Sequence, residues 1–206
     1  MNLKQIPFNN YIREKTAKKQ IVLHHTAGGG KGEIVYAGWQ ADRTPVATCV
    51  AISRDGTIVQ GFGSEYWGYH LGMQMKHFGK LPYINLDKQS IGIELCNWGP
   101  LTYKSGQFKN YVNGVVDRSE VINLEYKGFE FWQSYTDEQI ESVRLLLLHW
   151  RDKFGIPLTY NEDIWGVSPR ALRGEMGVFT HNSYRPDKAD VYPHPQLVEM
   201  LRGLER

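Results

Sequence analysis

The feature that most constrains the fold is a short apolar run that ends in a pair of histidines. Residues 20–23 read Gln-Ile-Val-Leu and are followed by His24 and His25. An unbroken apolar run of this length predicts a strand that is buried on both faces, as in the middle of a sheet covered by helices. Such a strand delivers polar side chains at its carboxyl end.

A long amphipathic helix is predicted over Asp137–Phe154. Thr136 and Gln139 have the spacing of a capping box, and Gly155 followed by Pro157 is typical of a left-handed helix stop. The apolar residues that recur at helical spacing are Ile140, Val143, Leu147, Trp150 and Phe154.

Strand and helix patterns alternate along the rest of the chain. The turn Arg54-Asp55-Gly56 is a hairpin signal, because Asp-Gly accepts positive φ angles. Residues 98–135 are rich in aromatic side chains and have a hairpin-like pattern without clear strand limits. The other predicted elements are a helix over Gly32–Ala41, strands over 46–52, 57–62 and 90–96, and a last helix over 196–204.

These elements predict an α/β fold, with a central mixed β-sheet flanked by helices. A length of 206 residues fits one domain, and neither an internal repeat nor a linker interrupts the chain. The single domain therefore spans residues 1–206. It includes an N-terminal extension over 1–19 and the hairpin-like region over 98–135.

Composition excludes several classes of protein. A net charge of +2 is too weak a basic excess to indicate a nucleic-acid partner. The two cysteines, Cys49 and Cys96, match neither a disulfide framework nor a zinc ribbon, and each is expected to be a buried apolar side chain. No stretch is apolar enough for membrane insertion, and the N-terminus lacks the apolar core of a secretory signal. We therefore expect synthesis in the cytoplasm without a signal peptide.

Histidines and aspartates at distant positions could converge on one metal ion. A catalytic zinc typically has three ligands from His, Asp, Glu or Cys and a fourth position for water. His24 and His25 end the first strand, and His181, Asp187 and Asp190 lie together far along the chain. Spacing alone does not choose between the paired histidines or between the aspartates, and a structural or surface role for the histidine pair is the alternative.

Glu94 is unusual because it lies in an apolar strand. In residues 90–96 it shares one face with Gly92 and Cys96, while the large apolar side chains occupy the other face. A carboxylate there is costly unless it is paired or used. It is therefore either a salt-bridged structural residue or a general base beside a metal-activated water.

Two further residues have both a functional and a structural interpretation. Lys188 lies in a charged loop that is either a solvated surface or a segment stiffened by Pro186 to hold side chains in place. His70, next to Tyr69 in an aromatic and glycine-rich segment, is either a groove residue or a structural histidine.

Four motifs in order resemble a known family. They are Ile-Val-Leu-His-His-Thr-Ala-Gly over 21–28, Ser-Arg-Asp-Gly-Thr over 53–57, Ser-Ile-Gly-Ile-Glu-Leu over 90–95 and Lys-Ala-Asp over 188–190. Over nearly the whole chain, the sequence resembles the N-acetylmuramoyl-L-alanine amidases of bacteriophage endolysins and bacterial wall recycling, to which animal peptidoglycan recognition proteins are related. The resemblance implies a mixed sheet with a zinc ion (Zn²⁺) at the floor of a groove.

The resemblance also implies residue roles. His24, His181 and Asp190 match the three zinc ligands, Glu94 matches the acidic catalytic residue, and Lys188 matches the catalytic lysine. The substrate groove is expected to include His70, Tyr69 and Thr26, together with the aromatic segment within 98–135. The sequence departs from the family pattern at two places. Thr48 stands where some relatives have a catalytic tyrosine. The loop after His181 is about one residue shorter than in the recycling enzymes, which makes Asp187 the alternative to Asp190.

The implied activity is cleavage of the amide bond between the lactyl group of N-acetylmuramic acid and L-alanine of the stem peptide. The expected protein is a phage-type endolysin that acts on cell-wall peptidoglycan after release through a holin. The alternatives are a cytoplasmic recycling amidase for anhydro-muropeptides and a non-catalytic peptidoglycan-binding module. A generic zinc peptidase is disfavoured because the chain has no His-Glu-x-x-His helix.

Overall fold

The computed structural model describes residues 2–42 and 44–204. The strands are β1 (Leu3–Gln5), β2 (Gln20–His25), β3 (Val50–Ile52), β4 (Ile58–Gln60), β5 (Ser90–Leu95), β6 (Pro100–Lys104), β7 (Gln107–Lys109), β8 (Val115–Val116), β9 (Val121–Tyr126), β10 (Phe129–Gln133) and β11 (Gly177–Thr180). The α-helices are α1 (Gly32–Ala41), α2 (Leu86–Gln89), α3 (Asp137–Phe154), α4 (Pro169–Leu172) and α5 (Pro195–Gly203). Short 3₁₀ helices cover Met75–Phe78, Arg118–Glu120, Glu162–Trp165 and His181–Ser183.

The main sheet has six strands in the order β1-β4-β3-β5-β2-β11. Strand β2 runs parallel to both β5 and β11, β3 runs parallel to β5, and β4 is antiparallel to β3. All six residues of β2 are buried, as the apolar run predicts. The predicted fold class, a single α/β domain with a central mixed sheet flanked by helices, is confirmed.

The register of the parallel strands positions their polar ends side by side. His24 on β2 pairs with Glu94 on β5, and Leu23 pairs with Thr180, the last residue of β11. Paired residues of parallel strands project to the same face, and the carboxyl ends of such strands form the usual ligand-binding edge of an α/β sheet. The chain thus brings polar residues from three distant segments to one edge.

The aromatic region over 98–135 forms a second sheet, in the order β8-β7-β6-β10-β9 with antiparallel pairing throughout. It has a small apolar core of Leu101, Phe108 and Val116. The segment predicted as an N-terminal extension contributes β1, which adds a strand at the edge of the main sheet.

Helix α3 has the predicted limits. The Thr136–Gln139 capping box is formed, and Gly155 ends the helix with φ 69°. The Gln139 side chain also donates to the backbone carbonyls of Ile52 and Cys96, so the start of α3 is fixed to the ends of β3 and β5. No helix in the described part of the chain is both long enough and apolar enough to cross a bilayer.

The strand predicted over 46–52 is shorter in the structure. Only Val50–Ile52 joins the main sheet, because Val46 and Ala47 instead pair with Tyr69 in the segment that follows β4. The strand predicted over 57–62 is likewise reduced to Ile58–Gln60, and the last helix spans Pro195–Gly203 instead of 196–204.

Candidate metal and active site

Three side chains from separate segments meet at the carboxyl edge of the main sheet. His24 ends β2, His181 follows β11 directly, and Asp190 comes from the loop before α5. The ligand atoms form a compact triangle: His24 Nδ1 lies 3.1 Å from His181 Nδ1 and 3.2 Å from Asp190 Oδ2, and His181 Nδ1 lies 2.9 Å from Asp190 Oδ2. Tetrahedral zinc ligands lie about 3.3 Å apart, given zinc–nitrogen bonds near 2.0–2.1 Å. The triangle therefore has the size of one face of a zinc tetrahedron.

Hydrogen bonds on the side of His24 that faces away from the triangle determine which of its two ring nitrogens carries the proton. Ser90 Oγ donates to the carbonyl of Leu86 at 2.8 Å, so it accepts from His70 Nε2, also at 2.8 Å. His70 Nδ1 is then the acceptor for His24 Nε2 at 2.9 Å. This directed chain leaves His24 Nδ1 without a proton.

His181 is held in the same way. Its Nε2 lies 3.0 Å from the carbonyl oxygen of Leu71, which can only accept, so His181 Nδ1 also presents a lone pair. Two imidazole lone pairs and a carboxylate oxygen thus face one another within 3.2 Å. Such an arrangement is repulsive unless a cation lies between the atoms, and the donor set of two imidazoles and one carboxylate suits zinc.

The pKa values of the site agree with this arrangement. Burial, followed by repulsion from His181, lowers the pKa of His24 to about 4, so this imidazole is neutral near pH 7. Burial also lowers the pKa of His70 well below its usual range. His24 is therefore in the neutral form that metal binding requires.

Glu94 and Lys188 line the same cavity as the cluster. The cavity has a volume of about 320 Å³. Glu94 is only 9% exposed, and burial, together with repulsion from Asp190, raises its pKa well above the usual range. Within residues 2–42 and 44–204, neither the Glu94 carboxyl nor the Lys188 ammonium has a hydrogen-bond or ion-pair partner. Both groups can therefore act on a bound substrate.

The structure separates the residues that spacing left undecided. His25 projects from the opposite face of β2, where its Nδ1 contacts the Tyr135 hydroxyl at 3.0 Å. Asp187 is exposed and forms an ion pair with Arg185 at 2.6 Å. His24 and Asp190, not these two neighbours, belong to the cluster.

The groove residues predicted from the sequence differ in position. Thr26 and Tyr69 line the cavity, and Tyr69 is 39% exposed. His70 also reaches the cavity but contacts His24 directly. Thr48 lines the cavity with its hydroxyl committed to the carbonyl of Val50. The aromatic region 98–135 contributes no residue to the cavity wall.

Several contributors to the site were not predicted. Val35 and Trp39 on α1 form an apolar wall of the cavity, and their helical spacing of four residues was the available signal. The carbonyl of Leu71 and the hydroxyl of Ser90 contact the histidines from behind. Nothing in the local sequence indicates these two contacts, because the partner residues are 20 and 110 positions apart in the sequence.

Comparison with known proteins gives a family match and several similar folds. The N-acetylmuramoyl-L-alanine amidase family matches residues 14–195. No curated protein matches the chain.

Solved structures of three proteins align over almost the full length of both chains. PlyL is 15% identical with a TM-score of 0.55, covering 100% of this chain and 98% of PlyL. The N-acetylmuramoyl-L-alanine amidase LysC from Clostridium intestinale URNW is 14% identical with a TM-score of 0.52, covering 98% of this chain and 96% of LysC. A selenomethionine derivative of AmpD is 16% identical with a TM-score of 0.54, covering 97% of this chain and 94% of AmpD. At these identities the likeness shows a shared fold.

Proposed function

We propose a zinc-dependent, endolysin-type activity for this chain, which belongs to the N-acetylmuramoyl-L-alanine amidase family and has peptidoglycan as its substrate class. The bond cleaved is the amide between the lactyl group of N-acetylmuramic acid and L-alanine of the stem peptide. The observation that carries the zinc proposal is the triangle of lone pairs formed by His24, His181 and Asp190. Zinc held there supplies Lewis acidity, which lowers the pKa of water and polarises a carbonyl.

Glu94 is the proposed proton carrier. It is paired with His24 on the adjacent strand and lines the same cavity as the proposed ligands, and its burial makes it a stronger base than an exposed glutamate. It takes a proton from the attacking water and delivers it to the departing amine of L-alanine. The absence of a side-chain partner for Glu94 within the described residues leaves it free for both transfers.

Lys188 is the proposed electrostatic stabiliser. Its half-buried ammonium lines the cavity two residues before Asp190. As the lactyl carbonyl becomes tetrahedral, negative charge develops on its oxygen, and a fixed positive charge in a partly dry cavity stabilises that charge.

The donor set also favours catalysis over binding alone. A peptidoglycan-binding module needs no complete metal site, whereas here three donors converge and an unpaired buried carboxyl adjoins them. Of the two enzyme roles, we favour the phage-type endolysin, for which a holin is the expected export partner. The recycling amidase is the second candidate, because AmpD shares the fold to the same degree as PlyL.

One set of measurements tests the zinc site and the residue roles. We expect one zinc per chain in the wild-type protein, loss of tight zinc in His181→Ala, and unchanged zinc and turnover in Asp187→Asn, which removes a nearby exposed carboxylate. Glu94→Gln should keep its zinc and lose roughly 100-fold or more in turnover. Full zinc occupancy in His181→Ala, or near wild-type turnover in Glu94→Gln, would contradict the corresponding assignment.

The substrate form is tested separately. Purified protein is incubated with intact sacculi and with soluble anhydro-muropeptides, and the fragments are identified by mass. Release of stem peptides with a free L-alanine amine from sacculi supports the endolysin role. Activity confined to the soluble fragments would assign the chain to recycling.

A further inference from the structure

Two consecutive residues contact both imidazoles of the proposed zinc site. His70 Nδ1 accepts from His24 Nε2 at 2.9 Å, and the carbonyl oxygen of Leu71 accepts from His181 Nε2 at 3.0 Å. His24 ends β2 and His181 directly follows β11, so residues 70–71 connect the ends of these two strands through one side chain and one backbone carbonyl.

His70 and Leu71 are themselves held in place by hydrogen bonds to buried groups. Asp87 Oδ1 accepts the backbone amides of His70 and Leu71, at 2.8 and 2.9 Å, and Asp87 is only 6% exposed. Ser90 Oγ accepts His70 Nε2 at 2.8 Å and donates to Leu86. All the anchoring groups belong to α2 and the first residue of β5, which is a central strand of the sheet.

We propose that His70 and Leu71 together form a positioning unit that sets the orientation and tautomer of both ligating histidines. The inference rests on the proposed zinc site. It gives His70 a role behind the metal ligand, in place of the groove contact that the sequence predicted. In metal sites generally, the acceptor behind a ligating imidazole aligns its lone pair with the ion, and loss of that acceptor lowers metal affinity.

The consequence of losing the His70 acceptor follows from the directed hydrogen-bond chain. Without it, His24 Nε2–H is left without a partner in a buried site, and the ring gains freedom to rotate its Nδ1 lone pair away from the triangle. His70→Leu removes the acceptor and replaces the imidazole by an apolar side chain. His70→Asn restores an acceptor, since the asparagine Oδ1 occupies the same position along the side chain as the histidine Nδ1.

The test is zinc affinity, measured by competition with a chromophoric chelator and independent of activity. We expect His70→Leu to bind zinc about 10- to 100-fold more weakly than the wild type. His70→Asn should recover most of that affinity. The control is His149→Leu, the same substitution at an exposed histidine on α3, which should leave the affinity unchanged.

Four outcomes would count against the proposal. If folded His70→Leu binds zinc with wild-type affinity, the positioning role is overturned and the proposed zinc site stands. The same holds if the only effect of His70→Leu is an increase in KM, which indicates substrate contact. A wild-type protein that binds no zinc overturns the site itself. If His70→Leu does not fold, Ser90→Ala provides the measurement, because it frees His70 Nε2 while keeping the His70 ring. Unchanged zinc affinity in Ser90→Ala would then refute the proposal.

Discussion

Replacing Gly92 by alanine should damage both the stability and the metal site, because the space beside this glycine is already filled. Gly92 lies in the middle of β5, paired with Val22 of β2. A Cβ atom at position 92 would lie 2.5 Å from Thr48 Cγ2 and 3.2 Å from His70 Nδ1. Ordinary carbon contacts are about 3.5–4.0 Å, so Thr48 would have to retreat by about 1 Å.

Thr48 has little freedom to make that movement. It is 2% exposed, and its hydroxyl donates to the carbonyl of Val50 at 2.9 Å. Overpacking of a buried site typically costs about 1–3 kcal/mol. We expect Gly92→Ala to lower the free energy of unfolding by that amount, and to weaken zinc binding because His70 is displaced from His24.

Urea unfolding monitored by circular dichroism measures the first effect, in the presence of a chelator so that zinc does not contribute to stability. Thr48→Ser provides a matched background, because serine lacks the closest atom, Cγ2, and keeps the hydroxyl. The double variant should therefore regain part of the loss, with a coupling energy of about 0.5 kcal/mol or more. A Gly92→Ala variant within about 0.5 kcal/mol of wild type, or strictly additive effects, would refute the steric explanation.

Three lysines give further predictions. Lys188→Ala should lower kcat by roughly two orders of magnitude with little change in KM. Lys188→Arg should recover only part of the rate, because a planar guanidinium replaces a compact ammonium. Full activity in Lys188→Ala would show that Lys188 is only a surface residue. Lys127, in the β9–β10 turn, donates to the carbonyls of Pro186 and Lys188. Lys127→Met should therefore speed amide hydrogen exchange in residues 186–190, whereas the control Lys104→Met, at the exposed end of β6, should not. Equal exchange in both variants would show that the turn does not restrain the loop. Burial lowers the pKa of Lys18 from 10.5 to about 8. The unfolded chain then binds more protons than the native protein between about pH 8 and 10.5, so wild-type stability should rise across this window relative to Lys18→Met, by roughly 2–3 kcal/mol; parallel pH profiles of the two proteins would contradict the shift.

The sequence by itself determined the elements whose signals are local. The limits of α3 follow from a capping box, a repeating apolar face and a glycine stop, all within 20 residues of one another. The apolar run before His24 determined a buried strand, and the alternation of side chains along a strand already required His24 and His25 to point to opposite faces.

Tertiary structure decided which of those faces became the site. The choice depended on β5 and β11 pairing on either side of β2, and both strands lie far from β2 in the sequence. Val46 and Ala47 were predicted to lie in a strand of the sheet but instead pair with Tyr69 outside it. The second sheet depends on pairings between segments with similar aromatic patterns. His70 illustrates the same limit: its contact with His24 exists only because Asp87 and Ser90 fold behind it. The pairing and register of strands are set by the burial of apolar faces from distant segments. The local propensity of a segment does not specify which other segment it will pair with.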